Sequence, residues 1–194
     1  MILLLILIII IFLLICLNKN KWNDDTVEEL YNGTVYKVRK GNPTQQLNTA
    51  KKLDYLRSKL QILVDHCYKN NLPTEKDASR MNSRFNHTHI NETSSGETSA
   101  AYVVNKGEEL RVCLNDENEN DTMFVLLHEL AHIMSKSYGH NDEFKKNMDF
   151  LVKEAVKLNI YKPIDYTKRP INYCGVNISS TPCHNNKCLF GDKF

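Results

Sequence analysis

The sequence predicts an α+β domain with a small sheet or hairpin, a central buried helix and flanking helices packed against it, preceded by an N-terminal transmembrane segment. Three observations predict this arrangement. An unbroken apolar run opens the chain at residues 1–17, and an amphipathic pattern recurs at every third or fourth position through residues 44–70. A stretch at residues 123–134 is apolar on nearly every side of a helix, which is typical of a buried helix.

The chain has 194 residues and a formal net charge of only +2, with its lysines and arginines scattered. No concentrated basic face is present, so we expect no nucleic-acid partner. The length suits one domain with a real core and shorter flanking parts. We divide the chain into four parts: a transmembrane anchor (1–17), a juxtamembrane linker (18–43), a folded domain (44–162) and a cysteine-containing C-terminal tail (163–194).

The apolar run at residues 1–17 is long enough to cross most of a hydrocarbon core of about 30 Å. No lysine or arginine precedes it, and the residues after Cys16 do not form the small-residue site at which a signal peptide is cleaved. We therefore predict a retained single-pass anchor whose partner is the lipid bilayer. Secretion after signal-peptide cleavage is the alternative.

The orientation of this anchor is open. Lys19 and Lys21 follow the apolar run and favour a cytosolic location for the rest of the chain. Sequons for N-glycosylation favour the opposite side, and they occur at Asn32, Asn86, Asn91, Asn120 and Asn177.

Several local patterns predict the scaffold of the domain. Residues 34–39 alternate weakly and predict an edge strand, whereas the periodicity of residues 44–70 predicts a helix packed behind the site. The polar stretch 72–99 predicts a long loop. Segments 100–104 and 109–114 predict a hairpin, because the turn Asn105-Lys106-Gly107 places glycine where a three-residue hairpin loop needs a left-handed residue.

The buried helix carries the pattern H-E-x-x-H as His128, Glu129 and His132. Residues four apart lie one above the other on a helix, so both imidazoles can reach one metal ion. Burial of these three polar side chains without bonding partners would cost roughly several kcal/mol. A divalent metal ion bound at this position would offset that cost. We expect Asp121 or Thr122 to cap the helix, and we expect the helix to end between residues 137 and 139.

A catalytic zinc ion takes three protein ligands and keeps an open position. We predict His140 as the third ligand, because Gly139 allows a sharp turn and Asn141 or Asp142 can cap the next helix. Glu154, on that next helix, is the runner-up.

The C-terminal tail contains Cys174, Cys183 and Cys188 in a loop-like sequence without a C-x-x-C pattern. If this part faces an oxidising space, we expect disulfides, with Cys67 and Cys113 as further partners.

The segments HELAH and GHNDEF together resemble the zincin domain of the WLM and SprT-like metallopeptidases. This resemblance implies that residues 44–162 form a zincin-like metallopeptidase domain, of a type that also occurs in short and sometimes membrane-anchored proteins of large DNA viruses. It implies that His128, His132 and His140 bind zinc and that Glu129 is the general base. Seven residues separate His132 from His140, which departs from the spacing in both groups.

These observations predict a membrane-anchored zinc metalloprotease that hydrolyses protein or peptide substrates through zinc-activated water. Two alternatives stay open: a catalytically inactive membrane or virion protein that zinc stabilises, and a zinc hydrolase of non-peptide amides. The residue that stabilises the oxyanion is also open, and the candidates are Tyr138, Tyr161, Tyr166 and Tyr173.

Overall fold

The computed structural model describes residues 25–114 and 118–180, together with the pairing of two short strands at Cys183–His184 and Lys187–Cys188. The predicted transmembrane segment 1–17 lies outside the described residues. Within the part that is described, no helix combines the length and the apolarity required to cross a bilayer.

Two antiparallel strands open the described chain, β1 (Thr26–Tyr31) and β2 (Thr34–Arg39). The strand expected at residues 34–39 is therefore confirmed. The structure differs from the assignment of residues 18–43 to a linker, because the β1–β2 hairpin packs against the domain.

The alternation of β2 explains why this hairpin packs against the domain. Tyr36 and Val38 lie on the same face of the strand and are both buried in the core. On the other side of the chain, the amide of Lys37 donates a hydrogen bond of 2.8 Å to Oδ1 of Asn91. Asn91, which belongs to one of the sequons, is thus buried and bonded in the folded chain.

The first helix, α1 (Pro43–Lys69), confirms the helix expected at residues 44–70. Asn42 caps it in a capping box with Gln45, and proline occupies the first turn, where its missing N–H costs nothing. The buried residues recur at helical spacing and supply one side of the core: Ala50, Leu53, Leu56, Leu60, Leu63, Val64 and Cys67.

The prediction of a loop at residues 72–99 was wrong over much of its length. This stretch contains α2 (Glu75–Phe85), capped by Thr74, and the strand β3 (His89–Glu92). The helix is polar overall, but its three buried side chains are spaced three and four residues apart and form a narrow apolar stripe. These side chains are Ala78, Met81 and Phe85.

The predicted hairpin at residues 100–114 is confirmed as β4 (Ala101–Val104) and β5 (Glu109–Val112). Its loop has four residues rather than three, and Asn105, Lys106 and Gly107 all have positive φ. Together with β3, these strands form a mixed sheet in the order β3-β5-β4, with β3 parallel to β5. One edge of this sheet is therefore β4.

Two more helices follow, α3 (Glu119–Met134) and α4 (Asp142–Lys157). The start of α3 differs from the prediction, because Asn118 caps the helix by accepting the amide of Asn120. The helix also ends at Met134, before residues 137–139. The expected cap of α4 is confirmed at Asn141, whose side chain accepts the amide of Phe144.

The tail beyond residue 163 is more ordered than its loop-like sequence indicates. It contains the antiparallel strands β6 (Ile171–Tyr173) and β7 (Val176–Ile178), followed by β8 (Cys183–His184) and β9 (Lys187–Cys188). Gly175, with a positive φ of 84°, lies in the turn between β6 and β7.

The main core is enclosed by α1, α2, α3, α4 and the strands of both the first hairpin and the mixed sheet. The helix α3 lies at its centre, because it contacts α2 on one side, α4 on another and β4 on a third. The expected α+β class is confirmed, with four helices and several small sheets in the described residues.

Candidate metal centre

The helix α3 positions two of the predicted metal ligands. From Thr122 to Met134 every residue of this helix is buried except His128 and His132, which are half-buried. The two imidazole rings stand one turn apart with their centroids 5.0 Å from each other. The surrounding core therefore holds both rings at the base of an open cleft.

The chain reverses direction after α3 and brings His140 back to these rings. The Nε2 atom of His140 lies 2.9 Å from Nε2 of His128 and 3.2 Å from Nε2 of His132. Gly139 has a φ of +79°, which permits the tight turn immediately before His140. The three predicted ligands thus converge, with their ligand atoms within 4.8 Å of one another.

This donor set fits a zinc ion. Two nitrogen ligands that are bound at 2.0–2.1 Å to a tetrahedral zinc lie about 3.4 Å apart. The distances from Nε2 of His140 to Nε2 of His128 and of His132, 2.9 and 3.2 Å, are close to this value. Three imidazoles also match the ligand number of catalytic zinc sites, because they leave a fourth position for water or substrate.

The aromatic ring of Phe144, in the first turn of α4, contacts all three imidazoles. Its centroid lies 4.8 Å from that of His128, 4.3 Å from that of His132 and 4.7 Å from that of His140. One apolar ring therefore fixes the orientation of the whole cluster. The sequence alone did not indicate this contact.

Burial keeps the two helical histidines neutral. It lowers the pKa of His128 to about 3 and that of His132 to about 4, and the neighbouring imidazoles add to both shifts. At neutral pH both rings are therefore uncharged, which is the form that binds a metal ion.

Glu129 lies next to the cluster and lines the same cleft. It is only 6% exposed, and burial raises the pKa of its carboxyl group to about 8. A bound divalent cation would favour the carboxylate and lower this pKa again, since opposite charges attract strongly where water is excluded.

The turn from α3 to His140 is held by basic side chains of neighbouring elements. Arg84 of α2 donates from Nη1 to the carbonyls of Ile133 (2.6 Å) and Ser135 (2.8 Å), and Arg80 donates to that of Met134 (2.9 Å). Positive charge near a helix C-terminus also complements the helix dipole. The contacts of Arg80 and Arg84 could not be predicted from the sequence, because α2 lies in the stretch that was predicted to be a loop.

An acidic side chain holds the same turn from the other side. Glu143, in the first turn of α4, accepts hydrogen bonds from the amides of Lys136 and Ser137 and from the hydroxyl of Ser137. These bonds lower the pKa of Glu143 to about 2. The turn between α3 and α4 is thus bonded both to α2 and to α4.

The runner-up ligand Glu154 lies in a different environment. Its carboxylate contacts Nε2 of His66 on α1 at 3.3 Å and Nζ of Lys157 at 2.5 Å. It does not belong to the potential metal-binding group found among the described residues, which consists of His128, His132 and His140.

Three of the four tyrosines considered for oxyanion stabilisation are buried with bonded hydroxyls. Tyr161 contacts the amide of Ile164, Tyr166 contacts Asp121, and Tyr173 contacts the carbonyl of Cys113. Tyr138 is 79% exposed and lines a smaller cleft together with His132 and His140. The geometry therefore leaves Tyr138 as the member of this set nearest to the metal ligands.

His128, Glu129 and His140 line a cleft of about 660 Å³, and His132 lines the smaller cleft beside it. The lining of the larger cleft includes Ala101 at the start of the edge strand β4, and Val176, Asn177 and Ile178 of the β6–β7 hairpin. This volume is within the range of small-molecule and peptide-sized binding sites, about 300–1,000 Å³.

A disulfide ties the β6–β7 hairpin to the rest of the molecule. Cys113, just after β5, is bonded to Cys174 in the hairpin turn. Both residues were among the cysteines expected to form disulfides, although their pairing could not be predicted from sequence. Cys67 is buried and free.

Comparisons with known proteins found viral relatives. The chain is 32% identical over 131 residues to uncharacterized protein R325 of Acanthamoeba polyphaga mimivirus, a match that covers 64% of this chain and 62% of the relative. It is also 32% identical over 88 residues to uncharacterized protein 042R of Invertebrate iridescent virus 3, covering 41% and 52%. The chain spans less than two thirds of the length of either relative. No family model and no solved structure matches it.

Proposed function

We propose that this protein is a zinc-dependent peptidase with a zincin-like fold. The observation that carries the proposal is the convergence of His128, His132 and His140 on one point, with Glu129 beside them in an open cleft. Structural zinc sites usually have four protein ligands, whereas three ligands in a cleft are typical of catalytic sites. The WLM and SprT-like resemblance of the HELAH and GHNDEF segments supports the same reaction.

His128, His132 and His140 would hold the zinc ion. When bound, zinc polarises a carbonyl group and lowers the pKa of water toward about 7. Glu129 has the role of general base: it accepts a proton from the attacking water and then donates that proton to the leaving amine. Its burial among apolar side chains keeps competing solvent away from the carboxylate.

The sheet supports a peptide as the substrate. The strand β4 is an outer strand, and its residues Ala101, Tyr102 and Val103 line the clefts beside the metal ligands. An extended peptide can bind such an edge through backbone hydrogen bonds, largely independently of its sequence. A peptide carbonyl would then lie near Glu129 and the three imidazoles.

The substitution Glu129→Gln tests this function. We expect the variant to fold and to retain about one zinc per chain, because Glu129 is not a ligand. Its peptidase activity should fall by roughly 10²–10⁴-fold, since loss of a general base removes that much of the rate. The measurements are zinc content and hydrolysis of a diverse library of quenched fluorescent peptides, both on the full chain in detergent.

The matched control is Glu154→Gln, which removes a buried carboxylate far along α4 and should leave both zinc and hydrolysis unchanged. Equal, negligible hydrolysis by the zinc-loaded wild type and by Glu129→Gln would contradict the proposal. That outcome would favour an inactive zinc-stabilised protein, unless acyl-amide substrates added to the same library are cleaved.

A further inference from the structure

The β6–β7 hairpin lies where it can contact a substrate rather than merely close the fold. Val176, Asn177 and Ile178 line the same cleft as His128 and Glu129. Val176 is 40% exposed, so its apolar surface faces the cleft while it remains accessible.

The β6–β7 hairpin packs against α3, the helix that carries His128 and His132, through a small separate hydrophobic core. Tyr173 of β6 is fully buried, and it packs with Cys113 and with Val125 of α3. Its hydroxyl donates a hydrogen bond of 2.7 Å to the carbonyl of Cys113, and the Cys113–Cys174 disulfide closes the same cluster. Because Val125 lies one turn before His128 and Glu129, this core sets the distance between the hairpin and the metal ligands.

The surface between the hairpin and the helices is apolar. Val176 and Ile178 line this cleft together with Phe124 and Val125 of α3 and Phe144 and Met148 of α4. Apolar side chains that line a cavity beside a reacting group select an apolar group of the substrate, because burial removes its surface from water.

We propose that the β6–β7 hairpin is the specificity-determining wall of the cleft and selects peptides with a large apolar side chain next to the scissile bond. The proposal rests on the proposed peptidase function. The occupant is an extended peptide, because the apolar residues of the hairpin line the same cleft as His128, His140 and Ala101 of the edge strand β4. The side chain of Val176 contacts the substrate side chain without participating in the chemistry.

The substitution Val176→Lys tests this assignment by placing a cation on the wall. Binding is measured by fluorescence anisotropy with two short, capped, fluorescein-labelled peptides that differ only in one central residue, leucine or aspartate. The background is the zinc-loaded full chain carrying Glu129→Gln, in which the peptides are not consumed. With the native hairpin the leucine peptide should bind about tenfold more tightly, the expected gain from burying such a side chain.

Adding Val176→Lys should shift the ratio of the two dissociation constants by at least about tenfold toward the aspartate peptide, because the new cation attracts the carboxylate. The matched control is Val35→Lys, at a valine that is 48% exposed on the β1–β2 hairpin and does not line the cleft. This control should leave the ratio unchanged. The same ratio in both lysine variants would overturn the proposal.

Cleavage assays with the protein that retains Glu129 distinguish the specificity proposal from the proposed peptidase function. If the peptides are cleaved but neither cleavage selectivity nor binding responds to Val176→Lys, the specificity assignment fails and the peptidase function stands. If nothing is cleaved while binding shifts as expected, the hairpin selects peptides and the peptidase function fails.

Discussion

Of the three proposed zinc ligands, His140 is the one whose position depends most on the tertiary structure. It lies in the turn after α3, whereas His128 and His132 lie on α3 itself. Its Nε2 atom lies within 3.2 Å of that of His132, and Phe144 contacts its ring. We expect His140→Ala to lower zinc affinity by more than about 100-fold, since losing only an outer partner of a ligand costs roughly 10–100-fold.

Competition with a chromogenic zinc chelator measures this change in affinity. Glu154→Gln is the comparison, because Glu154 is bonded to His66 and Lys157 instead of facing the three imidazoles. Native affinity in His140→Ala together with a loss in Glu154→Gln would reverse the assignment of the third ligand.

Individual residues of the site were predictable where a local rule applied. The spacing of His128 and His132 on an apolar helix pointed to a metal without any knowledge of the fold. Gly139 likewise indicated the turn that delivers His140. The contacts of Arg84 with the end of α3 were not predictable, because they join residues about 50 positions apart in the chain.

At the scale of elements, Glu143 stabilises the turn between α3 and α4 through hydrogen bonds, and this stabilisation depends on pH. The pKa of Glu143 is lowered to about 2 from its usual 4.5 by the bonds to Lys136 and Ser137. A carboxyl group with a lowered pKa in the folded state stabilises the fold above its unfolded pKa. This contribution is therefore complete above about pH 5 and declines as the pH falls toward 2.

Thermal unfolding with a chelator present checks this stabilisation without interference from metal release. We expect Glu143→Gln to unfold at a lower temperature than the wild type at about pH 6, and the difference to narrow by about pH 3. The exposed Asp142, which begins the same helix, provides the control Asp142→Asn. A gap between Glu143→Gln and wild type that is constant with pH would contradict the role given to Glu143.

The sequence predicted a helix or strand more clearly when that element buries more apolar residues. The seven buried residues of α1 produced a clear periodicity, whereas the three of α2 were hidden among charged and polar neighbours. The β6–β7 hairpin was also missed, because strands of three residues are too short to show an alternation. Their positions depend on tertiary contacts that local patterns do not contain.

At the scale of the whole molecule, the Cys113–Cys174 disulfide closes a loop with a sequence separation of 61 residues. That loop includes both α3 and α4, and thus all three metal ligands. Cross-linking restricts the unfolded chain, and for a loop of this size the expected stabilisation is about 2–4 kcal/mol.

Replacing both cysteines by serine should therefore lower the free energy of unfolding by about 2–4 kcal/mol, measured by urea denaturation of the full chain in detergent. A phosphine reductant should destabilise the wild type by a similar amount and leave the double variant unaffected. If the reductant destabilises both proteins equally, another disulfide would be responsible.

The α+β class could be predicted from the sequence, because assigning this class requires only that helices and strands are recognised. The strand order β3-β5-β4 could not be predicted, because β3, which pairs in parallel with β5, lies in a stretch that was predicted to be a loop. The membrane anchor at residues 1–17 stays a prediction.

The arrangement of the cleft also sets an order of events during synthesis. The three proposed ligands and Glu129 lie within residues 128–140, so the candidate site is encoded in one short segment about two thirds of the way along the chain. The β6–β7 hairpin emerges from the ribosome more than thirty residues later. A nascent chain therefore contains all of the proposed metal-binding groups before it contains the hairpin that lines the cleft beside them.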